Sequence, residues 1–582
     1  MSTYTAIFKT TEHEKNCRVW GYGLAELGAL DKIIYGNTID EFMEFTKIKG
    51  ENHTILFHNL RFYGQFILSW CLENGYQRTT DPAARASNTF NTLISDEGEY
   101  YKIEVIFYKK GKNINRVIFL DSMKLIPLKV EELPRAFKLD MQVSNADHSD
   151  RLFLPDQWEL RDFEKESIKN DLMIVGQAVE YFYNRGYNKM TIGSCALQDY
   201  TNVLGGKKTF RRYFPEITPE CFADLRQAYR GGYCILNPEF QNKIVGPGIV
   251  IDVNSLFSDR MNECPLPYGT PSFFRGQYVY DELYPLYTQM FRCMFELKPG
   301  KLPMVQIRYG GQFAPAEYLT SSDDMEVTLC LNSVDMELFL ENYEVYNIEY
   351  IAGWKFQEAT GLFSKYIQKW TNAKIKSKDT ENWGMYLLSK LFLVSLYGKF
   401  GAAVRGRSKL PYLDQDKIVR FEDGPLEDRT GVYLPVASFT TSYARNKTIR
   451  AAQMVMDRYA AGESDIQFIY ADTDSLHCLS PGQQLPEGLE IDQTKLGAWK
   501  FESKFTRAKY LRAKCYIQES TEDVFNSDPE YKLKVTIAGM PDTCKKQVNF
   551  KNFKTGETFT GNMKYRAVRG GVIMDDNPFT IH

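Results

Sequence analysis

The feature that most constrains this chain is a short acidic stretch near its C-terminal end, Tyr470–Ser475, which reads YADTDS. Apolar runs on either side, Phe468–Tyr470 and Leu476–Cys478, predict two strands joined by a polar turn. The turn carries Asp472 and Asp474, and two carboxylates so close repel each other unless a cation lies between them. Magnesium suits such a place, because it takes one or two protein carboxylates and leaves room for phosphates. The alternative is a hairpin tip without a metal, since Asp favours turns in any case.

Two further stretches add to this chemistry. The apolar run Gly248–Ile251 predicts a buried strand that ends in Asp252, which would deliver another carboxylate at a strand end. The segment KLFLVSLYGK predicts a helix that places Lys390, Val394 and Tyr397 on one face. That face offers a cation for phosphate and an aromatic ring for a base.

An Asp-ending strand, a Lys/Tyr helix and an Asp-Thr-Asp hairpin, in this order, resemble the polymerase motifs of family B DNA polymerases. The sequence is most similar to the protein-primed DNA polymerases of small tailed bacteriophages, the compact strand-displacing type. The resemblance runs from near residue 4 to the C-terminus, and YADTDS and SLYGK carry it in the right order and spacing. It implies an α+β multidomain fold, a right-hand polymerase of palm, fingers and thumb with an N-terminal RNase H-like exonuclease domain and two insertions.

The resemblance also implies domain boundaries. The expected units are the exonuclease-like domain at 1–191, the first part of the palm at 192–263, the first insertion, for a terminal protein, at 264–360, the fingers at 361–401, the second insertion, for strand displacement, at 402–434, the second part of the palm at 435–534 and the thumb at 535–582.

The activity that the resemblance implies is template-directed DNA synthesis with two Mg²⁺ ions, for which Mn²⁺ can substitute. The expected catalytic residues are Asp252, Asp474 and Asp472, of which Asp472 shapes the site rather than holding both ions. The expected metal ligands are Asp252, Val253 and Asp474. The expected partners are primer-template DNA, deoxynucleoside triphosphates and a terminal protein. The enzyme is expected to be a processive, strand-displacing monomer in the cytoplasm of an infected bacterium.

Further site residues follow from the resemblance. The nucleotide-binding residues are expected to be Phe257, Lys378, Lys390, Val394 and Tyr397. The DNA-binding residues are expected to be Tyr229, Gly231, Gly232, Lys514, Tyr516, Asn59, Phe62, Ser122 and Met123. The alternatives are a solvated charge run for Lys378, a plain turn for the two glycines and ordinary packing for Phe62 and Met123.

Three departures from the family pattern affect the nucleotide site. Phe257 stands where the family has Tyr, Ser258 and Asp259 replace a more apolar pair, and Val394 replaces Asn. Phe257 keeps the aromatic ring, so selection for deoxyribose is expected to persist. Val394 cannot form a hydrogen bond, so nucleotide affinity or selectivity is expected to change.

The N-terminal motifs depart more strongly. In the family, carboxylates in three motifs hold two metals for 3′–5′ exonuclease cleavage. The four acidic positions carry Ile7, Lys9, Tyr63 and Asp171 here, so one acid of four remains, and Ser167 stands where the third motif of the family has Tyr. Because the flanking residues still fit the motifs, the loss is confined to the catalytic positions and indicates deliberate inactivation, with natural drift as the alternative. The resemblance therefore implies a lost exonuclease activity.

Two local predictions concern the chain around these motifs. Two antiparallel helices are expected in the fingers, with a break near Asp379–Thr380 and one of these two residues as the N-cap of the second helix. The segment Thr506–Tyr516 alternates basic and aromatic residues, which predicts one strand-like run along a primer.

Composition limits the remaining alternatives. A chain of 582 residues is too long for one core, and the net charge of −3 does not decide whether it binds nucleic acid. Eleven cysteines without a Cys-x-x-Cys pair indicate free thiols in a reducing cytoplasm. No signal peptide and no membrane-length apolar run are expected. A silent DNA-binding scaffold and a nuclease remain as competing functions, the first opposed by the three aspartates and the second by the lost acids.

Overall fold

Five antiparallel strands form the central sheet, which carries the acidic residues. The computed structural model describes residues 2–11, 16–48, 52–80, 85–144, 149–152, 158–308, 316–415, 418–428, 431–520, 533–561, 563–568 and 571–582. In spatial order the strands of the central sheet are Cys234–Leu236, Gln467–Asp472, Ser475–Leu479, Gly248–Val253 and Trp499–Phe505. The predicted hairpin and the predicted strand ending near Asp252 are both confirmed.

Helices cover the central sheet and continue from it. The short helix Leu256–Glu263 follows the Asp252 strand, and the long helix Leu434–Ala460 packs beside the strand Gln467–Asp472. Apolar residues of the central sheet and of the long helix, among them Ile251 and Ala452, share one core. Packing in this core holds the ends of the strands that carry the acidic residues in place.

The N-terminal region is built on a mixed sheet of eight strands. Their spatial order is Ile34–Gly36, Val19–Glu26, Ser2–Thr10, His53–Phe57, Asn113–Asp121, Tyr100–Lys110, Thr89–Ile94 and Gln77–Arg78. The helices of this region are Ile39–Ile48, Leu60–Glu73, Leu133–Phe137 and Asp162–Tyr183. Three helices, Ile192–Val203, Lys207–Tyr213 and Pro219–Ala228, lead from there to the central sheet.

A pair of packed helices, Ser364–Asp379 and Trp383–Phe400, is termed the helix pair below. The predicted break is confirmed, but the predicted N-cap is wrong. The side chain of Asn382 caps the second helix by accepting a hydrogen bond from the Met385 amide at 3.1 Å. The Thr380 hydroxyl instead donates to the Lys376 carbonyl of the first helix, so it cannot serve the second.

Two sheet-rich segments interrupt the central region. The first has a four-stranded sheet with the order Leu266–Arg275, Tyr343–Ala359, Leu286–Leu297 and Val327–Asn332, the helix Ser333–Asn342 and the pair Val305–Arg308 with Ala316–Leu319. The second consists of two strand pairs, Lys409–Leu413 with Val419–Asp423 and Arg405–Gly406 with Glu427–Asp428. The second segment contacts the N-terminal region through an ion pair of 3.1 Å between Arg78 and Glu422.

The C-terminal region begins with a four-stranded sheet. Its spatial order is Ile244–Val245, Arg507–Arg512, Cys515–Glu519 and Leu533–Ile537. The prediction of one strand across 506–516 is wrong, because the chain turns at Ala513–Lys514, where Lys514 has a φ of 56°. Beyond the helix Asp542–Lys545 lie the pairs Thr558–Phe559 with Phe579–Thr580 and Met563–Val568 with Gly571–Asp576.

The described residues bury several separate apolar clusters rather than one, as the length of the chain predicts. One belongs to the N-terminal sheet, one to the central sheet and one to the C-terminal sheet. All eleven cysteines are free and buried, which confirms the absence of a disulfide framework. Within the ranges that the structure describes, every helix is too short or too polar to cross a membrane.

Candidate active site

The tip of the acidic hairpin is held in a fixed conformation. Thr473 has a φ of 62°, which is uncommon for a β-branched residue and costs free energy unless its surroundings hold it. Its amide donates to the Tyr233 carbonyl at 2.6 Å, and its carbonyl accepts from the Thr448 hydroxyl at 2.7 Å. The turn therefore presents Asp472 and Asp474 in a defined direction.

Strand pairing brings Asp252 beside the hairpin. Asp252 is the register partner of Ser475, and the Val253 amide donates to the Asp474 carbonyl at 2.7 Å. Burial, and then the negative charge of Asp252, raise the pKa of Asp474 to about 6. Burial also raises the pKa of Asp252. Asp252 and Asp474 thus converge as two carboxylates that a cation would stabilise.

Asp472 has a different environment from the other two aspartates. Its carboxylate accepts from the Lys514 ammonium at 2.5 Å, from the Cys234 thiol at 3.0 Å and from the Tyr470 hydroxyl at 3.1 Å. Burial favours the neutral carboxyl, but the Lys514 charge and these hydrogen bonds keep the pKa of Asp472 below its usual value. Asp472 therefore links the hairpin to Lys514.

The donor set fits magnesium better than a metal that needs a full protein cage. Across the described ranges, no group of three or more His, Cys, Asp or Glu side chains is arranged to hold a metal ion. Magnesium needs only one or two carboxylates and completes its shell with water and phosphate, so Asp252 and Asp474 satisfy it. The side chain of Val253 is a buried hydrocarbon without a ligand atom, so only its backbone carbonyl could be a ligand.

Three lysine side chains lie near Asp252. Lys500 forms an ion pair with it at 2.9 Å, and the charge of Lys390 lowers the pKa of the Asp252 carboxyl against the effect of burial. Burial, and then the charges of Lys500, Lys390 and Lys378, lower the pKa of Lys374, whereas the charge of Asp252 opposes this shift. Lys374, Lys390 and Lys500 therefore lie near the acidic centre.

Lys374 was missed by the argument from spacing, which pointed to Lys378. Lys378 is exposed in the last turn of its helix, whereas Lys374 is half-buried one turn earlier. The signal for Lys374 is helical periodicity. Positions 367, 370 and 377 carry buried residues, and position 374 lies on the same stripe.

Aromatic rings join the central sheet to the helix pair. Phe257 stacks on Tyr397, with ring centroids 4.0 Å apart and planes at 22°. Burial, and then the charges of Tyr229 and Asp474, raise the pKa of Tyr397 to about 12, so this ring lies near the acidic centre. Val394 shares the helix with Tyr397, and its side chain is 45% exposed.

The departures at Ser258 and Asp259 have structural partners. The Ser258 hydroxyl donates to the Leu393 carbonyl at 2.8 Å and so connects the helix after Asp252 to the helix pair. Asp259 pairs with Arg260 and lies 3.7 Å from the Lys447 ammonium. Both side chains are buried, so neither faces an open site.

The Tyr-Arg-Gly-Gly segment lies against the hairpin tip. A Cβ at Gly232 would come within 2.4 Å of the Thr473 hydroxyl, so this position requires glycine. Arg445 donates to the carbonyls of Arg230 and Gly231, at 2.8 Å each, and fixes the segment from behind. Tyr229 is half-buried at the start of the segment.

Lys514 and Tyr516 lie next to the acidic hairpin. The Lys514 amide donates to the Tyr470 hydroxyl at 2.9 Å, in addition to the ion pair with Asp472. Tyr516 is 5% exposed, and its ring packs 5.4 Å from that of Tyr470 and 5.0 Å from that of His477. Tyr516 therefore packs within the core beside Tyr470, whereas the Lys514 side chain is 51% exposed.

In the N-terminal region, a lysine pairs with the one acid that remains of the exonuclease motifs. The Lys9 ammonium lies 2.6 Å from an Asp171 carboxylate oxygen, and the Ser144 amide donates to the other oxygen at 3.0 Å. Ile7 belongs to an apolar cluster that also contacts Tyr63, and Ser167 is buried on the same helix as Asp171. An ammonium group, rather than a second carboxylate, thus lies beside Asp171.

The predicted single-strand contacts of this region differ in exposure. Asn59 has a φ of 84° and caps its helix by accepting from the Phe62 amide at 3.4 Å. Met123 and Phe62 are half-buried, but Ser122 is fully buried. The Ser122 hydroxyl lies 2.9 Å from the His58 ring and 3.1 Å from the Phe57 carbonyl, so it holds the loop from inside.

Comparison with known proteins gives one consistent family. The profile described as DNA polymerase type B, organellar and viral, matches residues 150–484. The DNA polymerase of Bacillus phage B103 is 40% identical over 591 residues, which cover 99% of this chain and 99% of the relative. The DNA polymerase of Bacillus phage phi29 is 39% identical over 593 residues, with coverage of 99% and 98%.

Solved structures agree with the sequence relatives over the whole length. Phi29 DNA polymerase complexed with primer-template DNA and incoming nucleotide substrates has a TM-score of 0.90 and 38% identity, and the match covers 100% of both chains. Phi29 DNA polymerase complexed with single-stranded DNA has a TM-score of 0.87 at 38% identity, again over 100% of both chains.

Proposed function

The chain belongs to the type B DNA polymerases of bacteriophages related to phi29, and from this premise we propose that it extends primers on DNA templates with two Mg²⁺ ions. The observation that carries the proposal is the convergence of Asp252 and Asp474, whose carboxyl pKa values are both raised. Two such carboxylates beside a group of lysines suit a triphosphate and its metal ions.

Each part of the site has a role in this proposal. Asp252, Asp474 and the Val253 backbone would hold the ions, which lower the pKa of a primer 3′-hydroxyl and neutralise the triphosphate. Lys390 and Lys374 would bind the phosphates as charge-assisted donors. Mn²⁺ is expected to substitute for Mg²⁺.

Aromatic and glycine residues would position the substrates. Phe257 and Tyr397 would form the floor beneath the sugar and base of the incoming nucleotide. The segment that begins at Tyr229 would contact the template strand, because Gly232 allows a close backbone approach. Lys514 would hold the primer terminus, since its ammonium stays beside the acidic hairpin.

We further propose that the N-terminal region has lost exonuclease activity. The ion pair of Lys9 with Asp171 supports this, because an ammonium group takes the place of a cation beside the remaining carboxylate. Phi29 DNA polymerase has been solved with single-stranded DNA, and by analogy the region around Asn59 and Phe62 would still hold a single strand.

The domain assignment remains as expected from the sequence. We propose an exonuclease-like domain at 1–191, palm segments at 192–263 and 435–534, fingers at 361–401 and a thumb at 535–582. The sheet-rich segments at 264–360 and 402–434 would be the insertions that guide a terminal protein and displace a downstream strand. Contact of the second segment with the N-terminal region, through Arg78 and Glu422, supports a closed path for DNA.

The relatives also bear on partners and place of action. They are bacteriophage proteins, and the solved phi29 enzyme was captured with primer-template DNA and nucleotides. We propose the same partners here, a terminal protein as a further one, and a monomer that acts in the cytoplasm of an infected bacterium.

Primer extension with Mg²⁺ tests the proposal directly. A labelled primer on a single-stranded circle should lengthen beyond one turn if the enzyme both synthesises DNA and displaces the strand ahead. Asp474→Asn should abolish extension and still bind the primer-template, which separates catalysis from mere DNA binding. Loss of extension by the parent protein, with DNA binding intact, would favour the scaffold function instead.

A further inference from the structure

Lys500 is a charged residue of the acidic centre that the proposed mechanism does not use. It lies on the strand Trp499–Phe505 and is the direct register partner of Asp252. Its ammonium is 2.9 Å from the Asp252 Oδ1 atom, with the Lys500 side chain 33% exposed and the Asp252 side chain 20% exposed. The pair is thus half-buried at the place where a metal ion would have to enter.

The neighbouring charges explain why Lys500 pairs with Asp252 and not with another carboxylate. Strand pairing places Lys500 directly opposite Asp252, and its ammonium forms the 2.9 Å ion pair with that carboxylate. Glu502, two residues along the strand, raises the pKa of Asp252 and lies 3.5 Å from Lys534, which gives it a cation of its own. Lys500 therefore neutralises Asp252 rather than the nearby glutamate.

We propose that Lys500 is a positioning residue that serves as the resident counter-ion of Asp252 and competes with the divalent cation for its carboxylate. The inference rests on the proposed role of Asp252 as a metal ligand. In the metal-free enzyme the ammonium lies 2.9 Å from Oδ1 and orients the carboxylate. A divalent ion has to displace it from Oδ1, so the metal affinity of the site is lower than Asp252 and Asp474 alone would give.

Direct metal binding tests this inference without any catalytic step. Mn²⁺ is titrated into the full-length protein without DNA or nucleotide, and the free ion is followed by electron paramagnetic resonance. Lys500→Ala and Lys500→Gln should bind Mn²⁺ about two- to fivefold more tightly, the upper part of the range for losing one partly exposed ion pair. Lys500→Arg, which keeps the charge, should stay near the parent value.

A matched control lies on the same strand. Lys504 is four residues away and packs over the Phe501 ring, so Lys504→Ala removes one positive charge without touching Asp252. It should leave Mn²⁺ affinity unchanged. Equal tightening by Lys504→Ala would reveal a general charge effect and overturn the inference, as would unchanged or weaker binding by both neutral Lys500 variants.

One more variant separates this inference from the proposed function. Asp252→Asn should weaken Mn²⁺ binding at least tenfold, because it removes an anionic ligand. If Asp252→Asn binds like the parent, the metal role of Asp252 is wrong and the inference falls with it. If Asp252→Asn loses binding while the Lys500 variants match the parent, only the counter-ion role is wrong. Thermal unfolding of each variant shows whether it is folded.

Discussion

The Phe257 ring lies flat on the Tyr397 ring, with centroids 4.0 Å apart and planes at 22°. The first ring follows the strand of Asp252, and the second belongs to the helix that carries Lys390. Stacked aromatic pairs add about 0.5–1.5 kcal/mol beyond their buried area, so this contact helps to fix the helix over the acidic centre.

The first prediction concerns sugar selection. Phe257→Val removes the ring from the stack and opens space beside the nucleotide sugar. We expect discrimination against ribonucleotides to fall by about tenfold or more, a change within the range that pocket shape can give. The measurement is kcat/KM for dCTP and for CTP. Phe257→Tyr is the control and should keep the parent ratio; a similar loss in both variants would contradict a role for ring shape.

The second prediction concerns Asp474. Replacement by Asn keeps the size of the side chain and removes the charge that would bind a metal ion. We expect single-nucleotide incorporation to fall by at least about 10²–10³-fold, while the Kd for primer-template changes little. Asp465→Asn, an exposed position on the approach to the same hairpin, should behave like the parent. Near-normal incorporation by Asp474→Asn would refute the assignment.

The third prediction ranks the lysines of the helix pair. Lys390→Ala should lose about 2–4 kcal/mol of transition-state stabilisation, the range for one electrostatic group in an active site. Lys374→Ala should lose about 1.5 kcal/mol or more, as expected for a charge-assisted hydrogen bond. Lys378→Ala should change less than about 0.5 kcal/mol, because Lys378 is an exposed surface residue. Single-turnover incorporation kinetics give all three values. A larger effect at Lys378 than at Lys374 would show that Lys378, and not Lys374, is the second phosphate-binding lysine.

The fourth prediction concerns the N-terminal region. The parent protein should not shorten a labelled single-stranded oligonucleotide in the presence of Mg²⁺. Lys9→Ala should lower the free energy of unfolding of this region by about 3–5 kcal/mol, because it leaves Asp171 buried without its ion-pair partner. Lys169→Ala breaks an exposed ion pair with Glu166 and should cost less than about 0.5 kcal/mol. Urea unfolding of each variant checks the stabilities, and steady shortening of the oligonucleotide would show that nuclease activity persists.

The fifth prediction concerns pH. Burial, and then the charge of Lys534, lower the pKa of His477 from 6.5 to about 3. The unfolded chain therefore takes up a proton near pH 6.5, while the folded chain does not until about pH 3, so stability falls as the pH falls between these values. When the pH is lowered from 7 to 5, the free energy of unfolding of the parent should fall by about 2 kcal/mol more than that of His477→Gln. Denaturant unfolding at both pH values gives the difference, and equal losses would contradict a neutral buried histidine.

Local patterns were sufficient to predict the elements that build the site. Alternating and apolar runs gave the hairpin around Asp472 and Asp474 and the strand before Asp252, and helical spacing placed Lys390 with Tyr397. These features depend on residues that are close to one another in the sequence, so the pattern of apolar and polar residues is sufficient to predict them.

Contacts between distant segments could not be predicted in this way. The ion pairs of Lys500 with Asp252 and of Lys9 with Asp171 depend on strand register and on helix packing, which are long-range properties. Lys374 could have been predicted from the sequence, because positions 367, 370 and 377 are buried and position 374 lies on the same face of the helix. The spacing from Lys390 pointed to Lys378 instead.

The burial of all eleven thiols has a practical consequence for site-specific labelling of the protein. Burial raises the pKa of thiols such as Cys71 and Cys478, so the native cysteines are poorly reactive in the folded chain. A cysteine introduced at the exposed position of Val394 would be the one thiol open to a maleimide dye. A Val394→Cys variant would therefore carry a single fluorophore on the helix pair without prior removal of any native cysteine.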